Sequence, residues 1–414
     1  METVGITLLR RAFRSGSAEF WRARRGGANG FSRPILVKRL APELAADPRM
    51  AEQERTEAVL GSRLVHPNIL PVLDFALHDG QLVTVVEDVR VVDLLHLLER
   101  ATAARRKIPV RVALGIVRQI LEALDHAHRR ADPTIGLAGI AHGDLSPSNI
   151  LIEDTGRVLV RDFGIPLQDS PTGPLARLGR LHGKPGYMSP ELVTRGVLSP
   201  RSDLFAVGIL AFELATFRRL FGGRDGAETL RAVALAQIEE RLARHTHDLS
   251  PPFQDFLRKA LARQPEDRYA TATEMRIALD AFVPRHASDI GPELAELVAE
   301  LAPANDESEA VFPQSAPVRP RTRRRTLSPL ILPDSLGEGE VATETPAVPT
   351  PSESLGETWT DDVAPTFIEV EALLVGIEPV GPPPLPPEAM DAPAEPPSRD
   401  EPPPLPPPVP RRRK

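Results

Sequence analysis

Four polar side chains stand in an order that suits phosphoryl transfer: Lys38, Asp144, Asn149 and Asp162. Lys38 lies in the apolar run PILVKRL (34–40), read as a strand that ends at this lysine. Asp144 and Asn149 share the stretch HGDLSPSNILI (142–152). Asp162 opens Asp162-Phe163-Gly164 within VLVRDFGI (158–165). Phosphoryl transfer asks little covalent chemistry of a protein. It needs neutralised charge and fixed geometry, which an ammonium, a carboxylate base and oxygen ligands for a divalent cation supply. Each feature alone is weak, because a strand-end lysine is usually a solvated charge and a short Asp-Phe-Gly occurs by chance. Their order gains weight from GYMSPE (186–191) and PEDRY (265–269) downstream.

The elements that must hold these residues are readable from periodicity. Residues 5–40 alternate and carry the turn signals RSGS and RGGANG, which predicts a twisted antiparallel sheet. Residues 47–65 read as a helix, 66–77 as a loop and strand, and 80–89 as a further strand. The pattern then turns helical. Leu114, Val117, Ile120, Leu121 and Leu124 recur at helical spacing within 111–130. Residues 202–217 are apolar nearly all round, which predicts a buried helix. The expectation is an α+β fold with a small strand-rich lobe followed by a larger helical one.

Composition sets outer bounds. Of 45 prolines, 28 follow Phe282. Residues 303–414 hold 19 Asp/Glu against 10 Lys/Arg, a net of −9, so the rest of the −7 chain carries +2. That near-neutral body argues against nucleic-acid binding. With no cysteine, disulfides, thiolate metal sites and cysteine nucleophiles are excluded. No window of 18 apolar residues and no signal-peptide core are present, so a cytoplasmic location without a membrane span is expected.

On Lys38, the HGD…N loop, DFG, GYMSPE and PEDRY, residues 5–283 resemble the bacterial eukaryotic-like (Hanks-type) serine/threonine protein kinases. The resemblance implies a bilobal protein-kinase fold that uses ATP and Mg²⁺ and phosphorylates Ser/Thr of protein substrates in bacterial signalling. It implies that Lys38 holds the α/β-phosphates, paired with Glu57, for which Glu52 and Glu54 are the fallbacks. Asp144 would orient the substrate hydroxyl, and Asn149 and Asp162 would hold the metal. Gly16, Phe20, Leu36, Glu87 and Val89 would line the ATP site, with Val86 as gatekeeper. Glu191 and Arg268 match a buried ion pair of the helical lobe, and Asp203 a residue tying its central helix to the catalytic loop.

Several positions depart from the family pattern. In FRSGSAEF (13–20), Phe13, Ser15 and Ala18 take the three phosphate-loop glycine positions and only Gly16 remains. Phe20 and Leu36 stand where Val and Ala sandwich the purine, and overfilling a packed site costs about 1–3 kcal/mol. Gly143 replaces the HRD arginine, so phosphorylation of Ser170 or Thr172 should not act through that route. Ser146 replaces the catalytic-loop lysine, while Lys184 replaces the threonine that faces it, a pair read here as one relocated catalytic cation. Two other functions stay open on these residues. One is a pseudokinase scaffold with weakened ATP binding, and the more distant is a small-molecule phosphotransferase, suggested by the HGD spelling.

Beyond the kinase-like region, Leu294, Leu297, Val298 and Leu301 predict an amphipathic helix within 284–302, docked on the helical lobe and capped by Ser288 or Asp289. Residues 303–414 are expected to be a disordered, acidic, proline-rich tail. PPPLPP occurs at 382–387 and 402–407, a polyproline II pattern that would suit a proline-motif-binding partner. Thr326, after a basic run, is a candidate phosphorylation site.

Overall fold

The computed structural model describes residues 5–302 except 16–17, 43, 46, 133–136, 168–183, 224 and 283–289. Gly16, Ser170, Thr172, Ser288, Asp289 and all of 303–414, with the proline repeats and Thr326, lie outside the described residues. The N-terminal lobe is one antiparallel sheet with a helix against it. Its elements are β1 (Ile6–Ser15), β2 (Ala18–Gly26), β3 (Ser32–Leu40), α1 (Pro48–Gly61), β4 (Val72–His78) and β5 (Gln81–Glu87). The strand order is β1-β2-β3-β5-β4.

Alternation along β3 decides which side chains face the cleft. Ile35 and Val37 point to one side, where they pack with Ala23, Val83 and Val85. Leu36 belongs to the cluster on the other side, with Phe20 and Val86, and Lys38 shares that face. Cross-strand register sets Phe20 opposite Lys38 and Lys38 opposite Thr84. The strand does not end at the lysine as its sequence suggested. It runs on to Leu40, because Arg39 and Leu40 still pair with β2. Helix α1 is shorter than the pattern indicated and closes at Gly61, where a Cβ would stand 2.9 Å from Val72 Cγ2.

The remaining elements build the helical lobe. They are β6 (Val91–Asp93), α2 (Leu94–Ala103), α3 (Val110–His128), β7 (Gly139–Ala141), β8 (Ile150–Glu153), β9 (Val158–Val160), β10 (Ile165–Leu167), α4 (Pro190–Arg195), α5 (Pro200–Thr216), α6 (Gly226–Leu235), α7 (Glu239–His245), α8 (Pro251–Ala260), α9 (Ala272–Leu279) and α10 (Gly291–Leu301). Helix α5 is buried from Ser202 to Leu214, as its all-round apolar sequence requires. Its start is fixed by Pro200 at the first turn and by a Ser199/Ser202 capping box. Phe205, Phe212 and Leu210 from α5 meet Ile116, Ile120 and Leu124 from α3 in one core.

Helix α10 joins that same core. Leu294, Leu297, Val298 and Leu301 are buried with Leu97, Leu98 and Ala101 of α2. Each such side chain removed from water contributes about 1.5–3 kcal/mol. Its N-cap is Ile290, which provides no side-chain cap; Pro292 sits in the first turn. The Ile290 side chain occupies the space where a Cβ on Gly115 of α3 would stand. At the far end, Arg100 donates to the Leu301 carbonyl at 3.0 Å. Among the described residues no helix is long and apolar enough to cross a membrane.

Candidate active site

Lys38 is buried at the centre of a carboxylate cluster drawn from two elements, α1 and the turn after β9. Its Nζ lies 2.9 Å from Glu57 Oε2 on α1, 2.9 Å from Asp162 Oδ1 after β9, and 3.1 Å from Glu54 Oε2. Glu54 and Glu57 lie three positions apart and share a helix face. Glu54 also accepts from Thr84 Oγ1 at 2.6 Å, and Glu57 from Gln53 Nε2 at 2.9 Å. Glu52, the other fallback, is exposed and pairs with Arg55 instead. Burial alone would pull the lysine down, but Asp162, Glu54 and Glu57 outweigh it and lift Lys38 well above its ordinary value.

One ammonium cannot neutralise three carboxylates. Burial, reinforced by the neighbouring acids, pushes Glu57 up to about 7. Asp162 goes the other way; despite burial, Lys38 and Arg161 hold it at about 2. Asp162 adopts φ +61°, a left-handed conformation that aspartate tolerates better than most residues. The glycine that follows Phe163 has a packing reason. A Cβ on Gly164 would stand 2.5 Å from Glu57 Cγ, so this glycine lets the chain after Asp162 approach α1.

The catalytic-loop residues are held from below by Asp203 in the first turn of α5. Asp203 Oδ2 accepts the His142 N–H at 2.9 Å and lies 2.8 Å from His128 Nε2; Oδ1 accepts the Gly143 N–H at 2.9 Å. Burial opposes its charge, yet His128, His142 and the Gly143 N–H hold its carboxyl below the usual range. Gly143 sits at φ +75°, where a glycine is unstrained and an arginine would not be. Its place in this loop is therefore a backbone matter as well as a missing cation.

Asp144 and Asn149 are brought together by a short 3₁₀ turn at Pro147–Asn149. Asn149 Nδ2 donates to the Asp144 carbonyl at 2.8 Å and to Asp144 Oδ2 at 3.2 Å. Those bonds commit the amide nitrogen and leave its oxygen as the group that can face a cation. The Lys184 backbone N–H donates to Asp144 Oδ1 at 3.3 Å, which brings Lys184 beside the loop. Ser146 is buried, its Oγ 3.2 Å from Ser148 Oγ.

Between the lobes lies a narrow cleft lined by Phe20, Lys38, Glu57, Val86, Arg161 and Asp162 among others. Phe20, Leu36, Val86 and Val89 are buried together with Ala18 and Leu151. Glu87 ends β5, with its N–H donating to the Pro71 carbonyl at 3.2 Å. Arg161, which no motif in the sequence marks, is 3% exposed. Its guanidinium carbon stands 4.9 Å from the centroid of the Phe20 ring, and its Nε is 3.4 Å from Asp162 Oδ2. A charged residue closing the apolar run VLV before Asp162 was the signal available. Glu54, read from the sequence only as a fallback for Glu57, reaches Lys38 alongside it.

A divalent cation fits this donor set. Asn149 and Asp162 supply hard oxygen ligands, and Mg²⁺ on a nucleotide needs only one or two protein oxygens besides phosphate and water. No cluster of three or more His, Asp or Glu forms an all-protein metal cage among the described residues.

A five-stranded lobe carrying a Lys–Glu pair, set over a helical lobe with an Asp–Asn loop and a DFG aspartate, defines a kinase-type phosphotransferase architecture. The chain belongs to the protein kinase domain family, which matches residues 27–278. It is 33% identical over 285 residues to the tyrosine-protein kinase MasK of Myxococcus xanthus, covering 69% of this chain and 44% of that one. It is 34% identical over 300 residues to the serine/threonine-protein kinase pkn3 of Myxococcus xanthus, covering 67% and 52%. For the serine/threonine-protein kinase PrkC of Bacillus subtilis the figures are 33% over 244 residues, 59% and 35%. The chain thus spans between about a third and a half of the length of these relatives. Among solved structures, the kinase domain of Mycobacterium tuberculosis PknI is similar at 26% identity and a TM-score of 0.48, covering 68% of this chain and 97% of that one.

Proposed function

We propose that this chain is an ATP-dependent serine/threonine protein kinase that acts in the bacterial cytoplasm, where its nucleotide is available. The observation that carries the reading is Lys38, within 2.9 Å of both Glu57 and Asp162, so that one buried cation links the two lobes inside the cleft. The family's use of ATP and protein acceptors, and relatives named serine/threonine-protein kinases, support it. Retention of Lys38, Glu57, Asp144, Asn149 and Asp162 together argues against the pseudokinase alternative. No proline-motif partner is proposed for the tail.

Lys38 would neutralise charge on the nucleotide phosphates, and Glu57 would keep its ammonium in place. Phe20, Leu36, Glu87 and Val89 would surround the base, with Gly16 in the loop over the phosphates. Mg²⁺, when held by Asn149 and Asp162, would supply charge neutralisation at the transferred phosphoryl group. Asp144 would accept a hydrogen bond from the substrate hydroxyl. As that oxygen bonds to the γ-phosphorus and the β–γ bridge breaks, ADP leaves and the hydroxyl proton passes to the Asp144 carboxylate. Lys184 would bring the second cation that Ser146 does not provide, from a backbone already bonded to Asp144.

The test is phosphotransfer by the purified chain with Mg²⁺ and labelled ATP, followed by phosphoamino-acid analysis. Asp144→Asn should lower the rate at least about 100-fold, within the range for a positioned base, and Lys184→Met about tenfold or more, the scale of one lost cation. Label on tyrosine alone, or equal labelling by wild type and Asp144→Asn, would refute the assignment. Loss only in Asp144→Asn would refute the role of Lys184.

A further inference from the structure

We propose that Phe20 and Arg161 form one internal gate that couples nucleotide entry to metal binding. The inference rests on the kinase reading for the identity of its ligands. Both residues are buried in the cleft, at 2% and 3% exposed. The Phe20 ring is buried with Ala18, Leu36, Val86, Val89 and Leu151, a cluster that includes Leu36 and Val89, the side chains assigned above to surround the base. Phe20 therefore occupies the slot that the base must enter.

Arg161 blocks the other ligand. Asp162 presents two carboxylate oxygens, and each faces a side-chain cation: Oδ1 meets Lys38 at 2.9 Å, and Oδ2 meets Arg161 at 3.4 Å. A divalent cation approaching Asp162 meets Arg161 as a like charge already on the ligand. The two obstructions are one object, because the guanidinium is stacked on the Phe20 ring at 4.9 Å. Lifting Phe20 for the base strips Arg161 of its stack; drawing Arg161 from Asp162 strips Phe20 of its floor. Either ligand therefore eases the entry of the other, a reciprocal coupling of two binding sites.

The experiment uses the full chain and measures ADP binding calorimetrically across a Mg²⁺ titration, beside labelled phosphotransfer. The variants are Arg161→Gln and Phe20→Val, with Phe20→Leu as a second, less disruptive opening of the slot. Arg161→Gln should lower the Mg²⁺ concentration for half-maximal ADP binding about tenfold, the scale of one desolvated cation–π contact. Phe20→Val or Phe20→Leu should tighten ADP without metal by a similar factor and shrink the Mg²⁺–ADP coupling. Unchanged Mg²⁺ dependence in Arg161→Gln would overturn the proposal, as would loss of ADP binding, which would make Arg161 a ligand contact. Binding gains without any labelling would instead sink the kinase assignment and leave the gate standing.

Discussion

Replacing Asp203 by Asn tests whether one buried carboxylate holds the catalytic loop. Asp203 is 2% exposed and takes two backbone N–H groups, from His142 and Gly143, and faces the His128 ring nitrogen, all within 2.9 Å. An amide keeps only one acceptor oxygen. With that oxygen in the Oδ2 place, the Gly143 N–H faces an NH₂ group; with it in the Oδ1 place, the His142 N–H and His128 do. At least one charge-assisted bond is lost and one buried donor is left unmet, about 2–4 kcal/mol together. At roughly 2–4 °C per kcal/mol for a domain of this size, the melting temperature should fall by about 4–16 °C.

The catalytic readout should move as well. Because Asp144 follows directly on the two anchored residues, a shift of the loop by about 1 Å should lower kcat about 100-fold, with KM for ATP changed less than about threefold. The pH dependence has a definite sign. Asp203 is held below its ordinary value, so its stabilisation is present above about pH 4 and fades as pH falls through the folded value. The gap between wild type and Asp203→Asn should therefore narrow in acid. A variant melting within about 1 °C of wild type, with unchanged kcat, would show that backbone geometry alone sustains the loop.

Two further outcomes follow from the charged clusters. Glu57 is raised from 4.5 to about 7, so its contribution is present below pH 4.5 and is lost as pH rises through 7. Urea unfolding at pH 5 and pH 8 should show Glu57→Gln gaining up to about 3 kcal/mol on wild type; a loss would mean that Glu57 is ionised throughout. In the helical lobe, Arg268 donates to Glu191 at 2.9 and 2.8 Å with both side chains at most 1% exposed. Arg268→Met should destabilise by about 3–5 kcal/mol, and adding Glu191→Met should recover part of that loss. A double variant as unstable as the sum of the singles would contradict a shared desolvation cost.

What could be read in advance divides along physical lines. Helix α5 was legible because a helix apolar on every side has nowhere to be but the interior. Strand β3 was legible in position but not in length, since Arg39 and Leu40 gain their pairing from β2, which the local pattern does not contain. The order of Lys38, Asp144, Asn149 and Asp162 was readable in advance, and the structure sets Lys38 beside Asp162 and Asn149 beside Asp144. Arg161 was not readable, because its position beside Phe20 depends on two segments 141 positions apart meeting across the cleft (161 minus 20). Glu54 was named only as a substitute for Glu57, whereas both reach Lys38. Gly143 read as a lost arginine; its positive φ became visible only with the backbone.

Helix α10 bears on how the protein comes into being during synthesis. The matched family region ends at residue 278, yet Ile290 fills the space beside Gly115, and Leu294 to Leu301 complete the wall over α2. A nascent chain that has emerged only to residue 278 still presents that apolar wall to water. The helical lobe can reach its final packing only after Leu301 has left the ribosome, so the time residues 279–301 take to emerge sets how long the exposed surface is available to chaperones.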